Sequence, residues 1–250
     1  MNTRGFTLVE MIVTMLVSSI LVLGIAGFVE LGTKGYAQSV DRQRLQTQAK
    51  FALEKMTREA RHAVPNIFII NGDCLIFFPI IDSGFYAVSG SDINFIVGNA
   101  SASVSTLNDK QLVINPTQIL SPSETLDALD NSFGLSSVVK ISDPSISGAT
   151  FAIPGKADEL IGGSVVNRHY ITANNRRVSY CINGNRITRA VGLSGTAFPL
   201  TDSAEVSVSG AISYTPASVQ HNGVVNIYLD FTQNGEATRF QQDVQVLNVP

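Results

Sequence analysis

The sequence predicts an α+β fold in which one long N-terminal helix lies on an antiparallel, β-rich head. Three observations predict it. An uncharged apolar run extends from Met11 to Val29, an amphipathic run follows it and ends before Pro65, and short β-type runs separated by turn residues fill the remainder.

Between Met11 and Val29 only Thr14, Ser18 and Ser19 are polar. About 20 such residues, at ~1.5 Å rise each, span the ~30 Å hydrocarbon core of a bilayer, so the run reads as a membrane helix. It is too long for the apolar region of a secretory signal peptide, about 7–15 residues, and Ile25-Ala26-Gly27 is a weak cleavage site.

Further on, Val40, Leu45, Ala49, Ala52, Leu53, Met56, Ala60 and Ala63 recur at spacings of three and four, with charged residues mostly between them. One helix is therefore expected from Phe6 to about His62, with Pro65 ending it. At ~1.5 Å per residue it would be roughly 85 Å long, so its second half has to project into water and cover something. Gly24, Gly27, Gly32 and Gly35 mark the junction of the halves; each is about 1 kcal/mol less favourable than Ala in a helix, which makes this its weakest stretch.

Beyond Pro65 the expected strands are CLIFFPII, INFIVG, QLVIN, SVVKIS, NRHYIT, RRVSYCI, RITRAV, AEVSVS, VVNIYLDF and RFQQDVQVLNV. Asn183-Gly184 and Asn234-Gly235 each suit a type I′ hairpin turn. The stretch from Ser121 to Asn131 reads as a short helix, with Ser121 and Glu124 forming a capping box. Residues 98–108 and 142–164 read as surface loops, and a single helix-plus-sheet unit accounts for the apolar faces.

The 250 residues carry a formal net charge of −3, and the longest basic block is the pair Arg176–Arg177, which excludes a nucleic-acid footprint. His62, His169 and His221 lack any paired spacing and read as surface or edge residues. Asp127, Asp130 and Asn131 could gather oxygens around Ca²⁺, but the pattern of a calcium loop is absent and solvated cap residues are the simpler reading. No phosphate loop, dinucleotide fingerprint or nucleophile elbow occurs, so no catalytic residue, cofactor or metal is assigned.

The two cysteines, Cys74 and Cys181, allow one intramolecular bridge, which an exported head would hold oxidised. Free reactive thiols are the alternative, and neither cysteine has a basic or CxxC setting. Phe85, Tyr86 and Phe198 are candidates for an exposed assembly surface.

The N-terminal string Arg4-Gly5-Phe6-Thr7-Leu8-Val9-Glu10 resembles the processing site of type IV prepilins and type II secretion pseudopilins. The resemblance implies a leader over 1–5, an apolar assembly half of the helix over 6–29, an amphipathic half over 30–64 and a head over 65–250. It also implies cleavage between Gly5 and Phe6 by a membrane prepilin peptidase, which methylates the new amine of Phe6. Glycine lets an extended backbone enter a narrow cleft, and Arg4 is the leader charge that holds the cytoplasmic side.

Glu10 would cost about 2.5–3.5 kcal/mol alone in hydrocarbon, but one helical turn from a freed Phe6 amine, its own or a neighbour's, it gains a partner. FALEKMTREARHAVPN, CLIFFPII and RRVSYCINGNRITR are similar to the O-type minor pilins of the mannose-sensitive haemagglutinin (MSHA) pilus, with W-type minor pilins and J-type pseudopilins as relatives.

The expected function is thus that of a minor pilin, not an enzyme, held in the bacterial inner membrane with its head in the periplasm and then in a pilus serving attachment. Its expected partners are the peptidase, other pilin subunits and the inner-membrane assembly platform. A J-type pseudopilin is the alternative in the same class. A membrane-anchored periplasmic enzyme or binding protein is the alternative in another class, and would require a polar cluster that the sequence does not offer.

Overall fold

In the computed structural model, residues 7–142, 149–204, 206–218 and 221–246 are described. Helix α1 spans Leu8–Arg61 without interruption, about 80 Å at ~1.5 Å per residue. Thr7 is its N-cap and His62 its C-cap. The helix therefore stops before Pro65, which lies in strand β1 (Ala63–Asn71). Pro65 falls where the pairing register slips between Ala63 and Phe68, a bulge at which a missing N–H interrupts no pair.

The chain continues through β2 (Cys74–Pro79), β3 (Asp82–Ser89), β4 (Asp92–Ile96), the short helix α2 (Val104–Leu107) and β5 (Gln111–Val113). Next come β6 (Ser132–Gly134), β7 (Val139–Ile141), β8 (Thr150–Ile153) and β9 (Arg168–Thr172). Then follow β10 (Val178–Asn183), β11 (Arg186–Val191), β12 (Phe198–Pro199), β13 (Ser207–Thr215), β14 (Gly223–Gln233) and β15 (Glu236–Val246).

The expected single sheet is three sheets. Five strands run in the order β1-β2-β10-β11-β12, three in the order β13-β14-β15, and seven in the order β6-β5-β9-β3-β4-β8-β7. The first two sheets enclose the buried stripe of α1, with Phe77, Tyr180, Ile227 and Phe231 among its partners. The seven-stranded sheet has its own core around Phe95, Phe133, Phe151 and Ile171. Its opposite face presents Val113 and Tyr170 to Ile67, Ile76 and Phe78 of the first sheet, so the head is built outward from the helix in layers.

β3 joins the two parts of the seven-stranded sheet by exchanging partners along its length. Asp82–Phe85 pair with β9 and Tyr86–Ser89 pair with β4. Gly84 makes the exchange possible: a Cβ there would stand 1.9 Å from the Ile96 carbonyl oxygen, so only glycine lets the strands approach.

Several expectations are corrected. The 121–131 stretch forms a turn and a 3₁₀ segment, Leu126–Ala128, in place of an α-helix; Glu124 accepts from the Ser121 N–H, but the cap of the 3₁₀ segment is Thr125. The loop expected at 142–164 contains β8, buried at all four residues, and the loop at 98–108 contains α2. The Asn234-Gly235 turn is as expected, with both residues at positive φ between paired Gln233 and Glu236. At the other hairpin the turn is shifted by one: Asn183 pairs with Arg186, and Gly184 and Asn185 take positive φ.

Candidate functional site

Residues 7–39 are exposed along their whole length. Among the described residues this is the one helix long and apolar enough to cross a membrane, and none of its apolar window is covered by the head. Between Met11 and Val29 the three hydroxyls are satisfied internally. The hydroxyls of Thr14, Ser18 and Ser19 donate to the carbonyls of Met11, Thr14 and Leu16, which removes the need for water around them.

The first charges after the apolar run are Glu30 and Lys34, paired with each other at 2.6 Å. Glu10 sits in the first turn, where its backbone N–H donates to Thr7 Oγ1 at 3.3 Å while its side chain stands exposed. Arg4, Gly5 and Phe6 lie outside the described residues.

The second half of α1 docks on the head. Asn234 donates to Asp41, and Arg42 pairs with Glu236 at 3.4 Å, so the tip of the β14–β15 hairpin meets the helix where burial begins. Leu45, Ala49, Ala52, Leu53, Met56 and Ala60 then form the buried stripe, packed chiefly against β14 and β15. At the far end Glu59 fixes the helix to the first sheet. Its carboxylate accepts from the Tyr180 hydroxyl at 2.8 Å and Arg189 Nε at 3.0 Å, and lies 3.3 Å from Lys55 Nζ. Burial pushes this carboxyl up, but the bonds from Arg189 and Tyr180 and the Arg189 charge outweigh it and hold the pKa below the ordinary carboxylate value. Burial and the adjacent Glu59 push the Tyr180 phenol up, so it stays a donor.

Cys74 and Cys181 stand opposite each other across β2 and β10 and form a disulfide. It closes a separation of 107 residues, worth about 4–5 kcal/mol by loop entropy. The bond ties the strand pair that follows the helix to the hairpin that carries Tyr180 and Arg189.

Of the remaining candidates, His62 caps the helix and His221 is exposed, whereas His169, expected at the surface, is fully buried. Its Nε2 lies 2.9 Å from the Ile96 carbonyl, its ring meets Phe95 edge-on, and Nδ1 has no partner. Burial pulls its pKa from 6.5 to about 4, against the weaker pull of the Ile96 bond and the Asp82 charge.

Asp127 accepts from Gln111, Thr125 and Asn174, and Asn131 is tied to Ile161, so both have structural partners. Among the described residues no His, Cys, Asp and Glu side chains group to hold a metal. Phe85 and Phe198 are exposed, but Tyr86 is buried, its hydroxyl accepting from the Ser164 N–H at 2.9 Å. The Glu59–Tyr180–Arg189 cluster was not found from sequence; its partners lie 121 and 130 residues away, and an acid one turn from Lys55 on a charged helix face carries no distinguishing pattern.

Residues 1–26 match the family model described as the prokaryotic N-terminal methylation motif. No curated protein and no solved structure matches the chain. The long apolar helix packed on antiparallel sheets is consistent with a pilin-like fold, and the motif points to a structural subunit; together they support a type IV pilin- or pseudopilin-like protein.

Proposed function

We propose that the chain is a minor type IV pilin of the MSHA kind, made with a leader over 1–5 that prepilin peptidase removes between Gly5 and Phe6, methylating Phe6. Residues 6–29 then serve first as the inner-membrane anchor, with the head in the periplasm, and afterwards as the packing surface among other pilin subunits in a pilus used for attachment. The observation that carries the reading is the uncovered apolar half of α1, continuous with a processing motif. None of the described residues covers that half, so lipid or neighbouring helices have to. Glu10 favours the second state, because an acid unpaired in hydrocarbon gains a cationic partner from a processed Phe6 amine.

The helix-end phrase FALEKMTREARHAVPN and the cysteine-bearing strands favour MSHA-type minor pilins and, as a second reading, J-type pseudopilins delivered to a type II secretion platform. The test is Glu10→Ala in the producing cell. The variant is expected to stay inserted with its head folded but to be depleted from sheared pili; normal recovery in pili contradicts the pairing argument. Intact pili with lost type II secretion favour the pseudopilin.

A further inference from the structure

At the end of α1 the helix, the β2–β3 connection and the β10–β11 pair enclose an open cleft of about 660 Å³. Arg58, Arg176 and Arg189 reach it from three different elements, and among the described residues the one carboxylate lining it is Glu59. That carboxylate is already committed to Tyr180, Arg189 and Lys55. Counting the lining residues Arg58, Arg176 and Arg189 against Glu59 leaves two positive charges uncompensated, in a chain whose formal net charge is −3.

Basic residues in the last turn of a helix complement its dipole, which accounts for Arg58 and Arg61 but not for Arg176 or Arg189. Among the described residues neither Arg58 nor Arg176 makes an ion pair, and Glu54, one turn before Arg58, does not pair with it. Arg177, between the lining residues Arg176 and Val178, adds a buried guanidinium whose Nη1 has no partner.

The cleft is also apolar. Pro79, Ile81 and Val191 form its walls, and the last two remain 39% and 38% exposed. Arginines lining a cleft with such walls suit a planar anion on an apolar body.

We propose that this cleft is a docking site for an acidic, partly apolar segment of another polypeptide, with Arg58 and Arg176 holding its carboxylates and the Pro79–Ile81–Val191 wall its apolar side chains. The inference goes beyond the assembly reading, since it concerns the folded head and is independent of cleavage after Gly5.

The test uses the full chain in non-ionic detergent micelles with ¹⁵N-labelled arginine. It is titrated with a blocked alternating glutamate–leucine hexapeptide, its glutamine–leucine analogue, and inorganic phosphate, all at matched ionic strength. The acidic peptide is expected to move the Arg58 and Arg176 side-chain signals saturably. Arg58→Gln or Arg176→Gln should each weaken binding at least about tenfold, as loss of a charge-assisted hydrogen bond requires, while Lys50→Gln outside the cleft should not. Both arginines are exposed, so neither change threatens folding. Shifts that merely follow ionic strength, that persist in both variants, or that the glutamine peptide reproduces would overturn the site. Phosphate binding as tight as the acidic peptide's would overturn the polypeptide assignment in favour of a small-anion site.

Discussion

In α1, every side chain from Thr7 to Ser39 is open, whereas between Val40 and Arg61 six residues are sealed against the head, five of them with no accessible surface. The backbone is the same helix, so the difference lies in how side chains are distributed around it. From Leu8 to Val29 apolar residues occur on all sides, and one sheet face could never cover them. From Leu45 to Ala60 they form one stripe, half of it alanine, which allows the sheets to come close. One half is stabilised by its own chain, and the other needs surroundings that the described residues do not supply.

The largest test of that difference is truncation on each side of it. Leu45→Ala or Met56→Ala is expected to destabilise the head by about 2–5 kcal/mol, the range for emptying a fully buried site, whereas Leu16→Ala should leave it within about 0.5 kcal/mol. Urea unfolding of the full chain in micelles, followed by tyrosine fluorescence, measures both. Equal losses would mean that the first half also contributes to head stability.

A second contrast separates the helix-side core from the outer sheet by pH. His169 is neutral in the fold, with a pKa of about 4 against 6.5 unfolded, so the unfolded chain binds the extra proton. The stability this contributes is complete above pH 6.5 and lost as pH falls toward 4, about 3 kcal/mol in all. In His169→Gln, which can still donate to Ile96, that part of the slope should vanish from pH-dependent unfolding curves.

Glu59 acts lower on the scale and more weakly. Its folded pKa lies below 4.5, so its contribution is present above pH 4.5 and lost as pH falls through the folded value. Glu59→Gln should remove that acid limb, cost about 1–2 kcal/mol at neutral pH, and loosen the end of α1 in hydrogen exchange while leaving residues 8–39 unchanged.

The features legible in the sequence were local ones. The helix came from periodicity, the Asn234-Gly235 turn from residues suited to positive φ, and the N-terminal motif from a compact string. β14 and β15 alternate cleanly because one face is buried. Illegible were the elements whose identity depends on distant partners. β1 was hidden by Pro65, which a bulge accommodates. β3 reads DSGFYAVS, with turn-type residues at its start, and becomes a strand because Gly84 lets it change partners. His169 gave no sign of burial, since the Ile96 carbonyl that accepts its proton is 73 residues away. The division into three sheets followed from such long-range pairings, and no periodicity records them.

The claim at the centre is that the uncovered half of α1 begins, in the working protein, at a processed Phe6. Intact-protein and peptide mass spectrometry of the chain purified from membranes of the producing cell tests it most directly. The account predicts a mature N-terminus of N-methyl-Phe6, with accumulation of the unprocessed form in Gly5→Ala. An intact Met1 in the wild-type chain, or a cut near Ala26, would contradict it.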